Sequence, residues 1–185
     1  FVTTGFNAGM RGKKGSYYDG GHRVPFFVRW PNGGLAGGRD VDEMTAHVDL
    51  LPTFIDMCGL EPPQAPHFDG MSLRGLIDGQ EPALPGDRYQ FVQYRQNTNP
   101  PEMWTNAVMT RQWRLVRGEE LYDIKIDPGQ KMDVSEAHPD VVDRLRAAHE
   151  AWWEEIQPGL LSYAPIALGH EAENPTKLCA MDVMG

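Results

Sequence analysis

Cysteine is nearly absent: the 185 residues hold only Cys58 and Cys179. They stand far apart, match no zinc spacing and make a poor disulfide framework, so both are expected to be unpaired thiols. No stretch approaches the roughly 18 apolar residues that a membrane span requires, which argues against a span. Cations are in deficit, 17 Lys and Arg against 26 Asp and Glu, for a formal net charge of −9. No long basic face opposes that total, which argues against nucleic acid as a partner. Several site motifs are missing as well. No glycine gives the P-loop spacing, there is no G-x-G-x-x-G and no HExxH, and the six histidines are scattered. No G-x-S-x-G elbow marks a hydrolase serine.

What is present describes a folded chain. Hydrophobic residues make up 41% and there are five tryptophans, enough for a real core rather than a disordered segment. The chain is expected to be one domain or one large piece of something bigger. Phe1 is followed by neither a basic n-region nor an apolar h-region, so a targeting signal is expected upstream or not at all.

Residues 1–22 are rich in Gly, Lys and Tyr and read as loop. Val24–Trp30, VPFFVRW, is an almost continuous apolar run of β-formers and predicts a strand buried on both faces. PNGGLAGGRD (31–40) reads as a surface connection. A helix follows, capped by Asp49, tolerating Pro52 in its first turn and stopped by Gly59, with Leu51, Phe54, Ile55 and Cys58 as the expected buried stripe. Residues 60–87 are proline-rich and linker-like, with a short helix around Ser72–Ile77. Then come four strand candidates, Arg88–Tyr94, Asn106–Thr110, Trp113–Val116 and Glu120–Ile124, joined by turns at Arg111-Gln112 and Arg117–Glu119. Pro139 opens a long helix to about Ile156, with Val142, Leu145, His149, Trp152 and Ile156 on one face. Antiparallel strands followed by a helix predict a small α+β module. His47 and Asp49, and His67, His138, His149 and His170, are read as structural, and Trp152 and Trp153 as packing rather than a sugar platform.

The densest chemistry lies in RGKKGSYYDGGHRVP (11–25), with four glycines, four basic side chains, a histidine, a hydroxyl and one carboxylate. Gly12, Gly15, Gly20 and Gly21 let backbone approach a ligand closely. Lys14 is a compact charge able to contact a tetrahedral oxyanion. Asp19 and Arg23 are spaced to pair and hold the turn, with Arg23 expected as the more buried partner. A solvated, purely structural basic loop fits the same residues, and physics alone leaves both readings open.

Lys14-Gly15-Ser16-x-x-Asp19-Gly20-Gly21-x-Arg23-Val24-Pro25 resembles the G-K-G-[ST]-x-x-E-G-G-x-R-x-P signature of the arylsulfatase-type sulfatases. The resemblance runs on through FFVRWP, HVDLLPTFIDMCGL and WRLVRGEELYDIKIDPGQ to the helix ending in AWW, in the family's order. It implies an α/β fold: residues 1–84 as the C-terminal part of an alkaline-phosphatase-like sheet domain, 85–157 as a small module with a four-stranded antiparallel sheet and a long helix, and 158–185 as a wrapping tail. It implies hydrolysis of sulfate esters, small-molecule or carbohydrate, by a formylglycine nucleophile with a divalent cation, usually calcium, and a histidine acid. By the same resemblance Lys14 contacts the sulfate; His22 sits where members vary and is a candidate substrate contact or a rim histidine, and Asp19 and Arg23 support the site. Export to a periplasmic or extracellular place is a further implication. The oxidisable Cys/Ser-x-Pro/Ala-x-Arg motif does not occur in this sequence, nor does the family's Asp-Asn metal pair; both are expected upstream, with no metal ligand in this chain. Lys13 replaces a usual small residue and Asp19 a commoner Glu. A phosphodiesterase or phosphonate hydrolase on the same fold, and a non-catalytic binding protein on the same scaffold, are the rival readings.

Overall fold

The computed structural model describes residues 5–62, 67–79, 84, 88–94 and 101–160, together with the backbone of 166–168 and 176–178. In chain order its elements are α1 (Asp19–His22), α2 (Leu50–Cys58), α3 (Arg74–Asp78), β1 (Gln90–Gln93), β2 (Asn106–Met109), β3 (Trp113–Val116), β4 (Glu120–Asp123), α4 (Pro139–Ile156), β5 (Ile166–Leu168) and β6 (Thr176–Leu178). They form two compact units, one of Phe1–Arg23 with Phe91–Gly185 and the other of Val24–Gln90. The glycine loop thus groups with the sheet rather than with the residues that follow it.

The first unit is built on the antiparallel sheet β1-β2-β3-β4. Its four strands fall inside the four predicted segments. Ala107 pairs with Val116, Val108 with Leu115, and Leu115 with Leu121. The β3–β4 turn is closed by the Glu119 N–H donating to Val116 O, with Arg117 (φ 55°) and Gly118 (φ 70°) both left-handed, the geometry that fits strand twist. A side chain at Gly118 would strike the Trp104 indole, so strain and space both demand glycine there.

Strand alternation gives the sheet two faces. Val108, Leu115 and Leu121 line one face together with Asn106 and Trp113. Helix α4 packs there through Val141, Val142, Leu145, His149 and Trp153. Trp153 rather than Trp152 enters the core; Trp152 is half-buried and stacks on Phe91, ring centroids 4.7 Å apart. Ala107, Val116 and Tyr122 line the other face, where Tyr17, Tyr18 and Val92 cover them. The glycine loop therefore lies across one face and the long helix across the opposite one.

The second unit departs from expectation in two places. Val24–Trp30 forms no strand; its one pairing is an isolated bridge between Trp30 and Leu35. Phe27 is 91% exposed and Val24 76% exposed, because no described strand pairs with the segment and no described residue covers these side chains. Most of the expected stripe on α2 is likewise turned outwards: Leu51 is 59% and Phe54 50% exposed and Cys58 is a free, exposed thiol, while Ile55 is half-buried. The face that is buried carries Pro52 and Thr53. Polar anchoring selects it: Thr53 Oγ1 donates to Asp49 O at 2.5 Å and accepts from the Leu73 N–H at 2.9 Å. Asp49 stands at the N-cap position, yet its carboxylate caps no α2 N–H. It accepts instead from the Ala46 N–H (2.7 Å), the Met71 N–H (3.0 Å) and the Arg88 guanidinium. Gly59 does end the helix, in a left-handed cap where the Leu60 N–H reaches Ile55 O and the Gly59 N–H reaches Asp56 O. The tail expected at 158–185 lies largely outside the described residues, as does Cys179; within it β5 and β6 pair antiparallel.

The uncovered apolar face makes a first prediction. Replacing Phe27 and Phe54 together by serine should lower the fluorescence of an apolar-surface dye bound to this chain and raise its solubility. Unchanged dye binding would mean that these rings are covered in solution.

His149 supplies a second. It is fully buried, with rings of Trp104, Phe91, Trp152 and Trp153 around it and its Nε2 against the Asn106 amide. Burial depresses its pKa to about 4. The unfolded chain, with an ordinary histidine near 6.5, binds the proton first, so stability is full above about pH 6.5 and falls as pH drops towards 4, by roughly 1–3 kcal/mol. Denaturant titrations across that range should show the slope, and His149→Leu should remove that share of it.

Candidate active site

The loop from Arg11 to Arg23 is shaped by its glycines. The Ser16 N–H donates to Lys13 O at 2.9 Å, closing a turn with Lys14 and Gly15 at its centre. Gly15 has φ 88°, the left-handed conformation that the third position of such a turn demands. Lys14 therefore stands at the tip. It is exposed and, among the described residues, makes neither hydrogen bond nor ion pair; the Lys13 side chain is likewise exposed and unpaired. The Tyr94 ring lies beside the turn, against Gly15. At Gly21 any side chain would overlap the Ser16 carbonyl, so glycine is what lets the loop's exit fold back on its middle.

Both ends of the loop are tied to the sheet. At the entrance Arg11 donates to the Tyr122 hydroxyl (2.7 Å) and to Gln130 O (3.2 Å), reaches Glu120 at 3.4 Å, and lies over the Tyr18 ring at 3.8 Å. The Tyr18 hydroxyl donates to Glu120 Oε2 at 2.8 Å, and the Tyr122 hydroxyl donates to the same carboxylate. Burial and that carboxylate raise the pKa of both phenols, so they remain protonated donors.

At the exit sits Asp19, only 1% exposed. Its N–H donates to Gln130 Oε1 at 2.8 Å, and its Oδ1 accepts from Arg114 Nε at 2.9 Å. Arg114 projects from β3 and also donates to Thr110 O and to Trp113 O, which fixes the guanidinium from behind. Burial lowers the Arg114 pKa while Asp19 opposes the shift; an arginine so placed stays charged.

The expected pair is therefore altered. Arg23 does approach Asp19, Nη1 to Oδ2 at 3.7 Å, but its side chain is 56% exposed and it is the outer, looser partner. The buried partner is Arg114, 95 residues along the chain from Asp19. His22 lies with Nε2 4.0 Å from Asp19 Oδ1 and a largely buried side chain. Burial lowers its pKa, against the pull of Asp19, and favours the neutral imidazole.

Arg114, Gln130, Tyr122 and Glu120 received no role from the sequence. A signal for Arg114 was available: a cation inside the short apolar strand WRLV must find an acceptor, because an unpaired buried charge is costly. What the arrangement can do chemically is hold an unpaired cation at a fixed place in front of solvent. Among the described residues no three His, Cys, Asp or Glu side chains converge as a ligand set for a metal ion, and Asp19 is committed to Arg114. The calcium implied by the resemblance was expected to take its ligands from outside this chain, and these residues do not bear on it.

The two arginines around Asp19 should separate in stability. Arg23→Ala is expected to cost about 0–1 kcal/mol, as exposed pairs do. Arg114→Ala, which strands a buried carboxylate, should cost about 3–5 kcal/mol. Equal losses in a denaturant titration would contradict this assignment.

The chain is similar to several known proteins. The family N-sulphoglucosamine sulphohydrolase, C-terminal, matches residues 12–152. Steryl-sulfatase of Mus musculus is 28% identical over 195 residues, covering 87% of this chain and 31% of the mouse protein. An arylsulfatase of Clostridium perfringens is 29% identical over 143 residues, covering 72% of this chain and 28% of its own length. The crystal structure of Ps i-CgsB superposes with a TM-score of 0.65 at 23% identity, covering 77% of this chain and 31% of that one; the same protein in complex with k-i-k-neocarrahexaose gives 0.64. This chain thus spans about a third of the length of the relatives it matches. With a family match that starts inside the glycine loop and ends in α4, the chain belongs to the N-sulphoglucosamine sulphohydrolase C-terminal family of the sulfatases.

Proposed function

We propose that this chain serves a sulfuric ester hydrolase and supplies the lysine that grips the sulfate group. The carrying observation is Lys14: an exposed cation without a partner among the described residues, at the tip of a glycine turn whose two ends are both tied down, in a chain of net charge −9. A lysine without a carboxylate beside it keeps its full charge for an incoming anion. Its three N–H donors suit a tetrahedral oxyanion, and its charge offsets the negative charge that grows on the sulfate and ester oxygens as the S–O bond breaks. The anchored ends of the loop set where the Lys14 backbone stands before substrate arrives.

The named relatives support sulfur over phosphorus as the centre attacked. They leave the rest of the ester open, and a carbohydrate sulfate is supported by the N-acetylglucosamine-6-O-sulfatase of Bacteroides thetaiotaomicron, 27% identical over 141 residues. His22, on the same loop, is proposed as a substrate-side neighbour through its neutral ring. The formylglycine motif is absent from the sequence and the calcium ligand set is absent among the described residues. The role proposed for this chain's own loop is anion binding and charge stabilisation.

Lys14→Ala in the intact protein should lower kcat/KM on a sulfate ester by roughly 30- to 1000-fold, or about 2–4 kcal/mol. Its melting temperature should not change, since the side chain is exposed and makes no hydrogen bond or ion pair among the described residues. Unaltered kcat/KM would remove Lys14 from the site, and faster turnover of a matched phosphate ester would move the enzyme to phosphoester chemistry.

A further inference from the structure

We infer that Arg114 and Gln130 are positioning residues of the sulfate site, acting through the loop on Lys14. The inference rests on the assignment of Lys14 made above.

The two residues meet the loop at one point. Arg114 Nε grips the Asp19 carboxylate and Gln130 Oε1 takes the Asp19 N–H, so side chain and backbone of the same residue are fixed at once. Neither partner is free to drift: Arg114 is held by two carbonyls of the β2–β3 turn, and Gln130 is fully buried. Gln130 also reaches the other end of the loop, since its carbonyl accepts from Arg11. The Gly20 N–H donates to Arg11 O at 2.8 Å, which closes the loop's neck. Lys14 itself makes no hydrogen bond or ion pair among the described residues, so the place of its backbone is set by where residues 11 and 19 are clamped. A flexible lysine on an unclamped glycine loop would spread its charge over many positions, and misplacement of about 1 Å is enough to lose much of a contact's catalytic effect. The buried face of β3 and the segment after β4 therefore carry part of the site's precision although neither touches substrate.

The test is a double-mutant cycle in the intact protein, read as kcat/KM on a sulfate ester, with circular dichroism to verify folding. Arg114→Lys keeps the charge but loses the fork. It is expected to lower kcat/KM about tenfold or more when Lys14 is present, and by less than about twofold when Lys14 is already alanine. A merely structural role would cost the same factor in both backgrounds, and that result would overturn the inference while leaving the function intact. If Lys14→Ala alone changes nothing, the sulfate-site reading fails and the inference falls with it. Should Arg114→Lys not fold, Gln130→Leu, which removes one acceptor at constant charge, runs through the same cycle with the same two outcomes.

Discussion

The buried ion pair of Asp19 and Arg114 is the contact on which the first unit's functional face depends. It joins a glycine-rich loop to β3, the third strand of the four-stranded sheet. A pair so deeply buried forfeits the hydration of both charges and is rarely a net source of stability compared with apolar packing. What it supplies is a location. An apolar contact between loop and sheet would tolerate sliding; a guanidinium held by two carbonyls and a carboxylate does not. The second clamp, Arg11 with Tyr122, Tyr18 and Glu120, repeats the logic at the loop's entrance.

The sheet can serve the loop on one face because the other face is closed by α4. Val108, Leu115 and Leu121 against Val142, Leu145 and Trp153 make an apolar layer from which polar groups are nearly excluded. His149 and Asn106, in contact with each other, bring polar groups into it, the histidine ringed by aromatics. Burying apolar area on one side stabilises strands that must present arginine, glutamate and tyrosine on the other.

In the Val24–Gln90 unit Asp49 has the part that Asp19 has in the first. Each is a buried carboxylate that receives an arginine, and each fixes its own surroundings by backbone N–H contacts, Asp49 as acceptor and Asp19 as donor. These polar hubs orient short elements whose apolar content is small. In the second unit the hub adjoins the α2 face that carries Pro52 and Thr53, while Leu51 and Phe54 are left outside with the run from Val24 to Trp30.

Local chemistry determined much by itself. Gly59 must end α2 because only glycine adopts φ 59° without strain, Arg117-Gly118 must make the tight β3–β4 turn, and Pro139 can open a helix because its missing N–H would have had no partner there. The loop's glycines and Lys14 were legible for the same reason: close approach and a point charge are properties of single residues and their spacing. Tertiary structure alone decided who pairs with whom. Arg23 is four residues from Asp19 and Arg114 is 95, yet the distant one is the buried partner, because burial depends on the face of β3 that the loop covers rather than on sequence distance. The same holds for VPFFVRW and the α2 stripe. Their apolar pattern states that a covering surface is needed, but exposure is a property of the neighbours that fold supplies, and among the described residues none covers them.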